Sequence, residues 1–177
     1  MSALIEVAPI EAVARRVLEA IAEAIPPRFR GRETLIAAEI SLPRNAFDPR
    51  RGQYRAEVML DELERVGGGV VTTAVAERHL GVIAADLFVP DLNFVFGFAR
   101  DGEDAVISLA RLGEGDRLIE RAVKAAVHEL GHTYALRHCD DARCVMHFSN
   151  TLAEVDRTTA DFCGDHRVEL DDALALP

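Results

Sequence analysis

The chain has 177 residues, 49% hydrophobic and 28% charged, which is enough for one well-packed core and short for two. Thirty acidic residues against twenty basic ones give a formal net charge of −10 with no long run of either sign, which reads as a solvated acidic surface and argues against nucleic-acid or anionic-membrane partners. No apolar run approaches the roughly 20 residues of a membrane span, and MSALIEVAPIEAVARRVLEA has no basic region ahead of an apolar stretch, so the cytoplasm is the expected location.

In chain order, Ile5 to Ile10 is a short apolar stretch. EAVARRVLEAIAEAI follows, with Ala12, Val13, Val17, Leu18, Ile21 and Ile25 at helical spacing, and Pro26 and Pro27 stop the helix. ETLIAAEI reads as a strand ending before Pro43. The turn-rich RNAFDPRRG leads to a second amphipathic helix expected from about Gln53 to Arg65, ended by the glycines at 67 to 69. GVIAADLF, NFVFGFA and AVISLARL read as three strands separated by turn signals at Pro90-Asp91 and Asp101-Gly102. Strands alternating with helices predict a mixed, largely parallel sheet. A loop as short as RDGED joins antiparallel strands, which puts NFVFGFA or its neighbour near an edge. From Asp116 a long helix, DRLIERAVKAAVHELGH, runs into a segment crowded with metal-binding side chains.

Within that segment His128 and His132 are four residues apart, so on a helix they differ by only about 40° in direction and project from one face. Two imidazoles so placed suit one zinc. Glu129, one step round, points beside the metal, where a carboxylate can take a proton from water. HExxH with a further histidine is a metalloprotease signature. His138 is ten residues past His128, roughly 80° off that face on a continuous helix, so the helix must break between them. A left-handed residue does this, and glycine is the usual choice. Here the midway residue is Ala135. The plainer alternative is a chance string of packed or exposed histidines, which the offset of His138 weakens.

Cys139 and Cys144 form C-x4-C, and Cys163 and His166 form C-x2-H. Two close pairs of soft ligands suit a closed tetrahedral structural zinc, with Asp140, His147 and Asp165 as alternatives to His166. Three cysteines cannot all pair with one another, and thiolates on metal in a reducing compartment explain them better than disulfides.

The residues HELGHTYALRHC, CVMHFSN and FC with its partner two positions on resemble the archaemetzincins, a metzincin-clan family with a three-histidine zinc motif, a methionine and a four-cysteine zinc motif in succession. Weaker likeness extends upstream through RGQY, GVIAADLFVPDLNFVFGFA and AVISLARL, and so covers the chain from about residue 33. The resemblance implies an α/β (α+β) metzincin-like fold: a twisted mixed sheet with an edge strand above the cleft, two backing helices, an active-site helix and a small zinc-stabilised C-terminal lobe. Residues 1–177 would form one metallopeptidase domain, with an N-terminal lobe over 1–138 and a C-terminal lobe over 139–177. It also implies a catalytic zinc on His128, His132 and His138, Glu129 as general base, Met146 as the methionine of the turn beneath the metal, and a structural zinc on Cys139, Cys144, Cys163 and His166, hence two zinc ions per chain. Ala135 stands where that family has glycine, and His166 where it has the last cysteine.

The expected function is zinc-dependent hydrolysis of peptide bonds in a peptide or protein substrate by a monomer, the substrate lying extended along the edge strand. The competing expectation is a non-catalytic, zinc-stabilised interaction domain with a vestigial or occluded site, favoured by Ala135. Thiol redox sensing by the three cysteines requires a labile zinc. Phe148, two residues after Met146, offers no hydroxyl, so any oxyanion donor besides zinc lies elsewhere.

Overall fold

The computed structural model describes residues 4–66 and 76–175. A five-stranded sheet has the order β2-β1-β5-β8-β7, with β1 Leu4–Ile10, β2 Glu33–Ile36, β5 Ala76–Ile83, β7 Gly97–Ala99 and β8 Ala105–Ser108. The first four strands are parallel, and β7 runs antiparallel to β8 at the edge. A three-stranded ribbon, β3 Phe47–Asp48, β4 Gln53–Arg55 and β6 Leu87–Phe88, stands beside it.

Parallel neighbours need crossovers, and the helices that make them divide the sheet's two faces. Alternation along the strands sends Ile5, Val7, Leu80, Val82, Ala105 and Ile107 into one core with Val17, Leu18 and Ile21 of α1 (Arg15–Ala24) and Ala122, Ala126, Val127 and Leu130 of α3 (Gly115–Thr133). Ala8, Ile10, Ile83 and Val106 point the other way, onto Met59, Leu60 and Leu63 of α2 (Ala56–Val66). The sheet is therefore a middle layer, with α2 on one face and α1 and α3 on the other. After α3 the chain holds α4 (Leu152–Arg157) and α5 (Gly164–Ala175), whose Leu170 and Leu174 join the α1/α3 core together with Cys144, Val145, Met146 and Phe162.

Several boundaries depart from the periodicity. The first helix begins at Arg15, not Glu11, because Glu11 turns left-handed (φ 59°) and ties the strand end to the next segment: its amide donates to Ile40 O at 2.8 Å and its carboxylate accepts from Leu42 N at 3.0 Å. The second helix begins at Ala56, since residues 53–55 pair as β4, and Gln53, buried, donates to Asp86 and Asn93 O. GVIAADLF breaks into β5 and β6 at Asp86, which turns aside to bind Arg111 and Gln53. β5 also begins earlier, at Ala76. Of NFVFGFA only Gly97–Ala99 pairs as a strand, and Val95 makes a single bridge to Leu87. The expected stop at 67 to 69 lies outside the described residues.

Candidate metal centre and catalytic cleft

α3 is 19 residues long, and Ala122, Ala126, Val127, Leu130 and Thr133 form its buried stripe. The complementary face carries His128, Glu129 and His132 into a cavity of about 560 Å³ that also receives Gly97, His138, Val145, His147 and Phe148. The helix ends as the three-histidine spacing demands. Ala135 has φ 65°, its amide donates to His132 O at 3.0 Å, and the Leu136 amide donates to Gly131 O at 3.2 Å. This paired closure of the last helical carbonyls is a Schellman motif. It reverses the chain so that the His138 ring lies 4.9 Å from the His132 ring and 5.4 Å from that of His128.

The same turns orient the imidazoles. Nδ1 of His128 donates to Val145 O and Nδ1 of His132 to Leu136 O, each at 2.7 Å. A carbonyl only accepts, so the proton sits on Nδ1 and the Nε2 lone pair faces inward. The two Nε2 atoms are 3.0 Å apart, and one ligand nitrogen from each of the three histidines lies within 4.8 Å of the others. Tetrahedral zinc with bonds of about 2.0 to 2.1 Å requires separations of roughly 3.3 Å, so the set fits one such ion. Burial, followed by the neighbouring His132, pushes His128 down to about 3, and burial also lowers His132 and His138. All three imidazoles are therefore neutral at physiological pH and able to serve as ligands.

Glu129 is buried, and its wall is the edge strand. A Cβ built on Gly97 would fall 2.5 Å from Glu129 Cγ and 2.7 Å from Oε1, so only glycine leaves room for the carboxylate there. Burial lifts the Glu129 carboxyl to about 8, giving it a high affinity for a proton. On the other side of α3, Gly131 performs a similar service for Met146: an added Cβ would lie 2.5 Å from its Sδ. Met146 is fully buried, and its carbonyl accepts from Cys139 N at 3.0 Å.

The second ligand set also converges. Cys139 Sγ and Cys163 Sγ are 3.8 Å apart, and His166 Nδ1 lies 3.2 Å from Cys163 Sγ and 3.9 Å from Cys144 Sγ. Tetrahedral zinc with bonds of about 2.3 Å to sulfur separates two thiolates by roughly 3.8 Å. Nε2 of His166 donates to Arg137 O at 3.0 Å, which leaves Nδ1 as the ligand atom. Burial raises the Cys139 thiol to about 12. Burial acts the same way on Cys163, but hydrogen bonds from His166 and the other two cysteines outweigh it and hold that thiol at about 7. The three cysteines form no disulfide. Of the alternatives to His166, Asp140 and Asp165 are exposed and outside the cluster, and His147 turns its Nδ1 to Cys139 O at 2.9 Å and lines the cleft instead.

Sequence reasoning missed the lip above the cleft. Arg51 donates to Leu92 O and Asn93 O and lies over the Phe88 ring, while Arg111 grips Asp86 and stacks on Phe94. These side chains fix the loop between β6 and β7, but they are far apart in sequence and carry no local signal. Gly97 was equally silent, since its role exists only opposite Glu129.

Residues 5–172 match the model of Peptidase family M54. The chain is 48% identical over 125 residues to the archaemetzincin of Methanopyrus kandleri, which covers 69% of this chain and 68% of that one. The crystal structure of the M. kandleri archaemetzincin superposes with a TM-score of 0.87 at 35% identity over 99% of this chain and 97% of the other. That of Archaeoglobus fulgidus, complexed with malonate, gives 0.80 at 31% identity over 94% and 99%.

Proposed function

Since this chain belongs to Peptidase family M54, the archaemetzincin family of zinc metallopeptidases, we propose that it hydrolyses peptide bonds in an extended substrate with Glu129 as the proton carrier. One observation carries this reading: a carboxylate buried against Gly97 lies next to three inward-facing imidazole nitrogens in one cavity. His128, His132 and His138 would hold a zinc ion, which when bound supplies a Lewis acid for the scissile carbonyl and acidifies water. A cation held by the three histidines would favour the ionised form of Glu129, whose carboxylate would then take the proton of the attacking water and deliver it to the leaving amine nitrogen. Because Ser108 N donates to Phe96 O and Arg100 N to Asp104 O, the pairs facing β8 alternate, and the peptide groups of Gly97 and Ala99 point to the free edge. An extended substrate can pair there as an added strand, next to Glu129.

Cys139, Cys144, Cys163 and His166 would hold a second, structural zinc, giving two ions per chain in a single domain with lobes over 1–138 and 139–177. The histidines, Glu129 and the edge strand all come from one chain, which supports a monomer. Free thiols suit a reducing cytoplasm, and among the described residues no helix is long and apolar enough to cross a membrane. Ala135 favoured the interaction-domain alternative, and its left-handed conformation removes that ground.

Elemental analysis of protein prepared without chelator should find two zinc ions, and Glu129→Ala should retain both while abolishing cleavage of a peptide library. Loss of one zinc in that variant would make Glu129 a ligand and overturn its role; a parent protein that cuts no peptide would revive the interaction domain.

A further inference from the structure

The chain has twenty basic residues, of which nineteen are arginine, and its one lysine, Lys124, lines the cleft. It precedes His128 by four residues on α3, so it shares that histidine's face one turn away, a rise of about 6 Å along the axis. It shares the cavity lining with the apolar Leu112, Ala125, Val145 and Val155 and with Thr158. The half-buried Lys124 ammonium donates to Val155 O at 3.0 Å, a carbonyl that also accepts from Thr158 Oγ1 at 3.0 Å. An ammonium has three donors. The adjacent carboxylate, Asp156, feels the charge of Lys124, but its hydrogen bonds go to Arg121, two of 2.7 Å, and to Arg117 at 3.3 Å. The acidic residues of the cavity lining are Glu129 and Asp101, the latter in the turn between β7 and β8.

Resting on the peptidase reading above, we propose that Lys124 makes this cleft select a substrate carrying a carboxylate on a residue adjacent to the scissile bond. An offset of about 6 Å from the first histidine is less than two extended residues, at about 3.3 to 3.6 Å each, so a carboxylate side chain next to the scissile bond reaches it. The carboxylate is either an Asp or Glu side chain or the free C-terminus of the peptide. The chain's charge of −10 does not oppose this, because exposed charges are screened beyond about 8 Å at physiological salt whereas a half-buried ammonium acts at contact.

The test uses the zinc-loaded full chain and a set of peptides that place Glu or Gln at each position flanking the cut, each made with a free or an amidated C-terminus. A charge-assisted hydrogen bond predicts kcat/KM about tenfold or more higher for the carboxylate member of the preferred pair, with the preference shrinking as salt is raised. The pair in which it appears, Glu against Gln or acid against amide, identifies the source. Lys124→Gln should bring that ratio close to one, and Lys124→Arg should keep most of it. Arg137, next to His138 in sequence, also lines the cavity, so a preference that survives Lys124→Gln assigns the effect elsewhere and overturns the proposal. Equal rates for both members in the parent overturn it without any variant. Zinc content and melting temperature of Lys124→Gln separate lost selectivity from lost fold. If no peptide is cut, the peptidase reading fails; calorimetric binding of the same peptides to zinc-loaded Glu129→Gln still decides the selectivity, and equal affinities overturn it.

Discussion

Ala135 carries a conformation that glycine adopts more readily, and the cost for a non-glycine residue is roughly 1 kcal/mol or more. Its side chain is exposed. Ala135→Gly is therefore expected to raise stability by about 1 kcal/mol, where the same change inside a right-handed helix would lower it by a similar amount, and thermal melting of zinc-loaded protein distinguishes the two. Gly97 presents the opposite problem. Gly97→Ala leaves an ordinary backbone but drives a methyl into Glu129, so the protein should fold and keep its zinc while kcat falls by about 10- to 100-fold, the typical penalty for a catalytic group displaced by about 1 Å. A variant with parental kcat would mean that Glu129 has room to move. The two residues also show what a sequence can and cannot say. Ala135 was legible because the interval from His132 to His138 forces a reversal whichever residue performs it. Gly97 was illegible because its function is a distance to a residue 32 positions later.

The elements that shape the cleft are joined by Asp86. It stands in the bend between β5 and β6, binds Arg111 beyond β8, and receives Gln53 from β4. Burial raises its carboxyl, but hydrogen bonds from Arg111 and Gln53 more than offset this and leave it below the ordinary carboxylate value. A depressed folded-state value stabilises the protein above the unfolded value of about 3.9 and is lost as pH falls through the folded one. Asp86→Asn should therefore cost stability at pH 7 and flatten the loss of stability below about pH 4. Parallel acid-unfolding slopes for parent and variant would show that this carboxylate does not control the region. The bend explains why GVIAADLF reads as one strand and folds as two: its apolar run is broken only at Asp86, and Gln53 and Arg111, distant in sequence, pull that residue aside. α3 and β7 were legible because a long amphipathic stripe and a two-strand loop are local signals.

Across the whole molecule the two ligand sets are mechanically continuous. His138 is bonded to Cys139; Val145, which orients His128, follows Cys144; and His166 holds the carbonyl of Arg137, next to His138. If both sets hold zinc as proposed, a mild chelator should remove the ion at the three histidines first, with little change in melting temperature, because three protein ligands would leave a fourth position open whereas the four-ligand set would be closed. His166→Ala should loosen both. A kcal/mol lost lowers Tm by about 2 to 4 °C in a chain of this size, and a fall of ~10 °C is expected, with weaker zinc at His128, His132 and His138. His166→Cys should restore both. A His166→Ala protein with parental zinc content and Tm would show that His166 is not a ligand.

That continuity also sets a schedule for synthesis. All three histidines and Glu129 leave the ribosome before Cys163 and His166, yet the segment that presents His138 is fastened by the later pair. A chain cut short before residue 163 would carry the three histidines and Glu129 without the pair that holds them in register. A purified chain truncated after residue 150 should bind zinc weakly and leave a reporter peptide intact where the full chain cleaves it, and parental zinc binding by the truncated chain would show that the later pair does not fasten the site. Late fastening of the third histidine thus makes the C-terminal segment the last part needed to complete the site.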